Sequence, residues 1–280
     1  MLSGVLSEML FMSGEKTLEK NLDDTHERPV PNISARIENC MRPKASPLMY
    51  QSWEHLLFLH WEVPSSSVSS LLPPGLKLDL FEGKAWIGIV PFFMKNVRPR
   101  FLPALPGLSN FMELNVRTYV YDESGVPGVW FFSLDANQFL ACTLGRNLFK
   151  LAYCDAEIKA SYNDWIDVRA RRRGHSGSAH YRYQIDGPAS ISKPGTLEFF
   201  LLERYVLFCF CQKKGLLKRG RVHHAPYHYH RANLKEYSTM PLIWNGQQNI
   251  LEAPHHVCAS RSVAVSIFGL ECIKNQTRLN

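Results

Sequence analysis

The segment "FMELNVRTYVY", residues 111–121, carries acidic, amide and basic side chains at alternating positions. Successive side chains of an extended strand point to opposite faces, so Glu113, Asn115 and Arg117 would share one face. In a closed barrel, this face could line a cavity in which Glu113 and Arg117 orient a small polar ligand. On an open sheet the same face would meet water, and the sequence alone leaves both arrangements open.

A second chemical candidate is Lys150, which lies among apolar residues in "TLGRNLFKLAYCDAEI", residues 143–158. A lysine amine in an apolar pocket can attack a carbonyl carbon and form a Schiff base. Cys154 is another nucleophile by type, but the adjacent Asp155 would oppose formation of its thiolate. These residues leave open whether the chain is an enzyme, and no catalytic residue is assigned.

Histidines are concentrated in "RVHHAPYHYHR", where His228 and His230 would share one strand face. A metal site needs further convergent ligands, and no recognised spacing supplies a third. We therefore expect hydrogen-bonded histidines and no metal ion. The sequence also has neither a glycine-rich phosphate loop nor a G-x-S-x-G nucleophile motif, so no nucleotide or other cofactor is predicted.

The run "RARRRGH" begins at Arg169 and is the densest basic segment in a chain of net charge +7. Such charge supports loose binding to phosphate backbones. A basic run between two β-like segments is more typical of a solvated strand end, so nucleic acid is not the expected partner. Binding of nucleic acid or another anionic surface through Arg169–Arg173 is retained as an alternative.

From Tyr50 onward the sequence contains ten short alternating or apolar runs rich in β-branched and aromatic residues, such as "AWIGIVPFFM" and "SVAVSIFGLECI". This pattern predicts a mainly β protein, an antiparallel barrel or cone with a few short helices. Helices are expected in "PSSSVSSLLPPG" and in "KPGTLEFFLLERY", where Thr196 would be the N-cap. Turn residues in "YDESGVPG" and "QKKGLLKRG" indicate two hairpins.

We predict a polar N-terminal tail over residues 1–48 with at most a short helix around Lys16 to Leu22, one β-barrel domain over 49–274, and a C-terminal tail over 275–280. No uninterrupted apolar run reaches the roughly eighteen residues that a membrane span needs, so no membrane is expected to take part. The N-terminus lacks the basic segment of a signal peptide, and seven scattered cysteines fit free thiols, so we expect a cytoplasmic protein.

Several motifs occur together in a familiar order: "HWEVPSSSVSSLLPPGLKLDLFEGKAWIGIVPFFM", "ELNVRTYV", "LEFFLLERY", "HHAPY" and "SRSVAVSIFGLE". Over roughly residues 50 to 273 the chain resembles the YqjF-like family of uncharacterised conserved proteins. That family is similar to the acetoacetate decarboxylase-like superfamily, whose members form a cone or barrel of antiparallel strands around a small-molecule cavity. The resemblance also implies that a homo-oligomer could form.

In the decarboxylase branch the Schiff base forms on a lysine that an adjacent second lysine activates, in a motif that begins Gly-Arg-Glu. On this chain Gly145 and Arg146 match the first two places, Asn147 replaces the glutamate, and the lysine pair falls on Tyr153 and Cys154. Lys150 stands three places earlier, and an odd shift along a strand reverses the side it faces. Acetoacetate decarboxylase-type lyase activity is therefore not expected. Gly88 also stands where the decarboxylases carry an acidic residue.

We predict a cavity that binds a small organic acid or a similar metabolite without Schiff-base chemistry, because an arginine pair in a poorly solvated pocket suits a carboxylate. The candidate ligand-binding residues are Glu113, Asn115, Arg117, Arg146, Asn147 and Tyr153, with His224 or Tyr227 at the mouth. The first alternative is an enzyme acting on a small keto or carboxylic acid through acid and base groups such as Glu113 and Tyr153.

Overall fold

The computed structural model describes residues 29–247 and 250–273, and in these residues twelve strands form one continuous sheet. The strands are β1 (Met49–Val63), β2 (Leu76–Leu78), β3 (Ala85–Pro99), β4 (Phe111–Asp122), β5 (Pro127–Ala136), β6 (Tyr153–Tyr162), β7 (Ile166–Arg172), β8 (Ala179–Ser190), β9 (Val206–Cys211), β10 (Leu216–His224), β11 (Tyr229–Glu236) and β12 (His256–Cys272). The α-helices are α1 (Ile33–Cys40), α2 (Ser65–Ser69), α3 (Phe139–Leu144), α4 (Leu197–Leu202) and α5 (Met240–Trp244). A π-helical turn, Gly145–Phe149, continues α3, and a 3-10 turn, Gln212–Lys214, joins β9 to β10.

The sheet branches at two strands and closes into two rings. The first half of β5 pairs with β9 and its end pairs with β6, while β12 pairs with β11 near its start and with β10 further along. The larger ring runs β5-β6-β7-β8-β11-β12-β1-β3-β4, and the smaller ring runs β5-β9-β10-β12-β1-β3-β4. The predicted barrel is therefore confirmed, as two closed rings that share one wall.

In the shared wall, β4 and the middle of β1 are buried on both faces, which explains why their sequences are more apolar than a strict alternation requires. In β1, Leu57, Leu59 and Trp61 pack in the core of the larger ring, whereas Leu56 and Phe58 pack toward the smaller one. All twelve residues of β4 are buried. Period-two alternation thus sorts side chains between two interiors, and not between a core and water.

Local sequence signals explain the helices and hairpins that the sequence predicted. The Thr196 hydroxyl accepts a hydrogen bond from the Phe199 amide and caps α4, as expected. In the β4–β5 hairpin the Asp122 carboxylate accepts bonds from the Ser124 and Val126 amides, which closes the turn. The β9–β10 hairpin is also present.

Part of the predicted N-terminal tail, residues 29–48, is described and packs on the barrel. Asn32 caps α1, and the guanidinium of Arg36 donates two hydrogen bonds of 2.6 Å to the buried carboxylate of Asp79. These contacts are long-range, so the local polarity of the segment gave no sign of them. Residues 1–28, including the predicted helix near Lys16, and residues 274–280 lie outside the described part. Among the described helices, none combines the length and apolarity needed to cross a membrane.

The basic run divides by strand alternation into exposed and buried members. Arg169 and Arg171 are exposed and pair with Asp167 and Glu157 at 3.4 and 3.1 Å. Arg172 points inward and is almost fully buried beside Asp135. The run is therefore not a continuous basic surface, because one of its arginines is an internal ion-pair partner.

Candidate functional site

A cavity of about 420 Å³ lies inside the smaller ring, among β1, β3, β4, β5, β9 and β10. Its walls are mostly apolar and include Phe111, Phe131, Leu134, Leu202 and Val222. The polar side chains in its described lining include Gln51, Ser109, Glu113, Arg117, Tyr153, Arg204 and Tyr227. An apolar cavity with a few converging polar groups is the usual form of a small-molecule site.

The geometry of β4 shows whether its polar face meets water or lines a cavity, which the sequence left open. Leu114 and Val116 pack in the core of the larger ring, so Glu113 and Arg117, on the opposite face, point into the cavity. The polar face of the strand is therefore an interior surface and is not exposed to water.

Glu113 is a buried acid whose environment favours its neutral form. Its carboxylate accepts a hydrogen bond of 2.9 Å from the Tyr153 hydroxyl, and only 3% of the residue is exposed. Burial raises the pKa of Glu113 to about 7, with a further increase from Asp135, while the hydrogen bonds from Tyr153 and Asn115 oppose the shift. This carboxyl group can therefore gain or lose a proton near neutral pH.

Tyr153 is held against Glu113 by the turn that precedes it. A Cβ atom at Gly145 would lie only 2.4 Å from Cδ2 of the Tyr153 ring, so glycine is required there for the ring to pack. Arg146 reinforces the same turn by donating to the Tyr153 carbonyl at 3.3 Å and to Asp155 at 3.1 Å. Gly145, which is part of the cavity lining, and Arg146, which is not, thus both position Tyr153.

Arg117 is a buried cation without a carboxylate partner among the described residues. Its Nη2 donates to the Leu201 carbonyl at 3.1 Å, its Nε has no hydrogen-bond partner there, and 8% of the residue is exposed. The guanidinium carbon lies 5.5 Å from the Phe58 ring centroid and 5.7 Å from that of Tyr119. Aromatic faces stabilise a cation only partly, so the charge of Arg117 is left without full compensation.

Other polar groups surround Arg117 with unsatisfied hydrogen-bonding capacity. Arg204 lines the same cavity and pairs with Asp79 at 2.7 Å, but its Nη2 is unpartnered within the described part of the chain, as are the Tyr119 hydroxyl and His60 Nε2. His60 lies opposite Gly88 in the β1–β3 pairing, and Gly88 lies opposite Arg117 in the β3–β4 pairing. A Cβ at Gly88 would be 3.0 Å from the His60 ring, so this glycine leaves the space that His60 occupies.

Of the eight residues predicted from the sequence, Glu113, Arg117, Tyr153 and Tyr227 line the cavity. Asn115 is buried, does not line the cavity, and has an Oδ1 atom without a partner in the described structure. The other three lie outside the cavity: Arg146 faces Asp155, Asn147 is exposed, and His224 lines a separate surface groove. Burial lowers the pKa of His224 to about 4, so its ring is neutral at ordinary pH.

Lys150 lies outside the cavity, and none of the described lining residues is a lysine. Lys150 is exposed and ends the π-helical turn in the left-handed conformation, with φ of 55°. Of the two residues at the lysine-pair places, Tyr153 donates to Glu113, and the Cys154 thiol makes a weak contact of 3.8 Å with the Ala152 carbonyl. Burial raises the pKa of the Cys154 thiol, which disfavours its reactive thiolate.

Sequence reasoning missed His60 and Arg204, which the structure places near Arg117. His60 Nδ1 lies 3.0 Å from His256 Nδ1, and burial, aided by His256 and Arg117, holds the pKa of His60 well below its usual value. The signals were a histidine on the apolar face of "HLLFLHWEV" and a charged pair inside "FFLLERYVLF". Within the described residues, no group of three or more His, Cys, Asp or Glu side chains is arranged to hold a metal ion.

Comparison with known sequences gives two matches over most of the chain. The sequence pattern of the DUF2071 family, described as an uncharacterized conserved protein, matches residues 50–264. The uncharacterized protein YqjF of Bacillus subtilis is 39% identical over 193 residues, which cover 68% of this chain and 78% of YqjF.

Solved structures with the same fold are more distant in sequence. Acetoacetate decarboxylase from Legionella pneumophila matches with a TM-score of 0.58 at 12% identity, over 86% of this chain and 96% of the decarboxylase. The enduracididine biosynthesis enzyme MppR, complexed with pyruvate, matches with a TM-score of 0.58 at 13% identity, over 83% of this chain and 93% of MppR. At such identities the likeness shows the fold alone. The chain has an acetoacetate decarboxylase-like fold, belongs to the DUF2071 family of conserved proteins, and is a relative of YqjF, as its motifs indicated.

Proposed function

We propose that this protein binds a small organic acid with an apolar body, and that Arg117 holds the acid's carboxylate. The observation that carries the proposal is a buried guanidinium in an apolar cavity, without a carboxylate partner among the described residues. Keeping a charge out of water without a counterion costs several kcal/mol in proteins, on the order of the cost of breaking a buried ion pair. An anionic ligand would supply the missing counterion.

The shape of the guanidinium and the arrangement of its neighbours favour a carboxylate. Arginine presents parallel N–H groups that match the two oxygens of a carboxylate. Arg204 lines the same cavity, and its Nη2 has no hydrogen-bond partner in the described structure, so it is a second guanidinium near this end. An acid anion could pair with both arginines.

The walls of the cavity determine what else the ligand must be. Apolar side chains dominate the lining, and a cavity of about 420 Å³ is of a size that suits a compact metabolite. A ligand with an aliphatic or aromatic body would gain from burial against Phe111, Phe131 and Leu134. MppR, which shares this fold and was solved in complex with pyruvate, also supports a small carboxylate as the class of ligand.

Glu113 makes the binding of an anion dependent on pH. While Glu113 is protonated, below its pKa of about 7, the cavity contains the positive charge of Arg117 without an opposing carboxylate from Glu113. Above that pKa the ionised carboxylate repels an anionic ligand in the same cavity. Affinity for an organic acid should therefore fall as the pH rises through 7.

Glu113 and Tyr153 also support a second function, that of an enzyme acting on the bound acid. A carboxyl group with a pKa near the working pH is suited to transfer protons as a general acid or base. The hydroxyl of Tyr153 is bonded to it at 2.9 Å and could relay or stabilise charge. This enzyme would use no lysine amine.

The test is calorimetric titration of the intact chain with octanoate and with octanol, which has the same tail but no charge. We expect octanoate to bind, octanol to bind weakly, and Arg117→Met to lower octanoate affinity by about ten- to a hundredfold, the value of a charge-assisted pair. The exposed Arg169→Met is the matched control and should bind as the wild type does. Equal binding of octanoate by Arg117→Met, or no binding by the wild type together with a bare native mass spectrum, would refute the proposal.

The enzyme alternative is tested by incubating the protein with a panel of keto and carboxylic acids and recording the masses of the products. Turnover that Glu113→Gln abolishes while octanoate binding is retained would establish the enzyme. If none of the acids is converted to a product, ligand binding without catalysis is the function that the proposal retains.

A further inference from the structure

The mouth of the cavity is surrounded by exposed apolar side chains on two segments, which we call the rim. One segment is the β3–β4 loop, residues 100–110, and the other is α3 with the π-helical turn, Phe139–Leu144 and Gly145–Phe149. Its most exposed large apolar residues are Phe101 (85%), Phe139 (65%), Leu148 (64%), Leu102 (57%), Leu105 (50%) and Leu144 (46%). A concentration of such residues indicates an interaction surface.

The rim is continuous with the cavity. Leu102, Leu105, Leu144 and Leu148 are exposed to water and also line the cavity, which places them at its opening. The Gln138 side chain donates a hydrogen bond of 2.6 Å to the Gly107 carbonyl and so joins the two segments. A molecule that entered or left the cavity here would pass between these apolar side chains.

Charge beside the rim is positive. The chain has no Asp or Glu between Lys84 and Glu113 or between Asp135 and Asp155, and these stretches contain both rim segments. Arg100 lies over the ring of Phe101, with its guanidinium carbon 5.0 Å from the ring centroid. Basic and apolar side chains are thus interleaved at the mouth.

A surface groove of about 650 Å³ adjoins the mouth, shares Gln51 and Pro103 with the cavity lining, and extends the positive charge. Arg42 and Arg98 line it, and none of its described lining residues is acidic. An apolar rim with basic residues at its edge is the combination by which peripheral proteins bind anionic bilayers, since the apolar groups insert and the cations contact headgroups.

We propose that the rim docks on the surface of an anionic phospholipid bilayer, with the cavity mouth facing the membrane. A second copy of the chain fits less well, because a two-fold interface would set the basic residues of one rim against those of the other. The sequence led us to expect no membrane because it has no spanning segment, but surface docking needs none. The inference depends on the rim and is separable from the identity of the cavity ligand.

The test is flotation of the intact chain with vesicles of phosphatidylcholine alone and with vesicles that also contain phosphatidylglycerol. We expect binding to the anionic vesicles that weakens with added salt. The double variant Phe101→Ser and Leu148→Ser should lower this binding at least about tenfold. Leu251→Ser with Ile191→Ser is the matched control, because both residues are exposed and neither lines the cavity or the groove.

Two further variants separate the contributions. Arg42→Gln with Arg100→Gln should reduce the preference for anionic vesicles while the rim side chains stay in place. Arg117→Met should float as the wild type does, so that failure of the ligand proposal does not count against docking. No binding to anionic vesicles, or equal binding by the rim variant, would overturn the inference. A second result would also overturn it: the wild type is a dimer, the rim variant is a monomer, and the two bind vesicles equally.

Discussion

Arg172 and Arg117 are two buried arginines in the two rings of the barrel, and they differ in what surrounds them. Arg172 donates to both Asp135 oxygens at 2.5 and 2.7 Å, to the Ser133 hydroxyl at 2.6 Å and to the Trp244 carbonyl at 2.9 Å. Arg117 has a single hydrogen bond, to the Leu201 carbonyl, among the described residues. Exposure does not separate them, since 4% and 8% of the residues are accessible.

The difference indicates what each arginine is for. A buried cation whose donors are all used within the protein holds strands together, and in the larger ring Arg172 links β7 to β5 and α5. A buried cation with unused donors beside a cavity is costly to the fold unless something else binds it. The smaller ring therefore contains, in Arg117, a positive charge that an anionic ligand would neutralise.

The largest expected effect on stability comes from breaking the buried ion pair between Arg172 and Asp135. Asp135→Ala would leave Arg172 buried without its counterion and should lower the free energy of unfolding by about 3–5 kcal/mol. Urea unfolding followed by tryptophan fluorescence would measure it. Glu157→Ala, which removes the partner of the exposed Arg171, is the control and should cost no more than about 1 kcal/mol. Similar losses for the two variants would mean that the buried pair is not structural.

A smaller effect should follow the titration of Glu113. Its folded-state pKa, about 7, exceeds the ordinary carboxyl value of 4.5, so the native state holds a proton that the unfolded chain has already lost. The contribution of Glu113 to the free energy of unfolding is therefore fully present below pH 4.5. It decreases by roughly 3 kcal/mol in total as the pH rises to about 7. Unfolding free energies of wild type and Glu113→Gln across this range would show the difference. Parallel curves for the two proteins would contradict the assignment.

The smallest effect concerns Lys150, an exposed cation that contrasts with both buried arginines. Its left-handed backbone is unfavourable for any residue with a Cβ, so Lys150→Gly should raise the free energy of unfolding by about 0.5–1 kcal/mol. Octanoate binding should be unchanged, because the amine lies outside the cavity lining. Loss of binding in a folded Lys150→Gly protein would show that the amine takes part after all.

Local patterns in the sequence anticipated much of this architecture. Alternation placed Glu113 and Arg117 on one face, capping chemistry identified Thr196, and the substitutions at Tyr153 and Cys154 argued against a Schiff-base lysine. The branching of the sheet at β5 and β12 depends on pairing between distant segments, so the sequence could not reveal that both faces of β4 are interior. Arg146 points away from the cavity because an unpredicted helix and π-helical turn, α3 and Gly145–Phe149, precede β6.

The ion pair between Arg36 and Asp79 bears on how this protein can be shortened. The family pattern begins at residue 50, yet Asp79 is held by Arg36 from one side and by Arg204, a cavity-wall residue, from the other. A chain that began at Met49 would retain the whole segment that the family pattern matches. It would lose Arg36, one of the two cations that neutralise the buried carboxylate of Asp79. The part of the chain that the family pattern matches is thus smaller than the part that neutralises Asp79, the partner of a cavity-wall arginine.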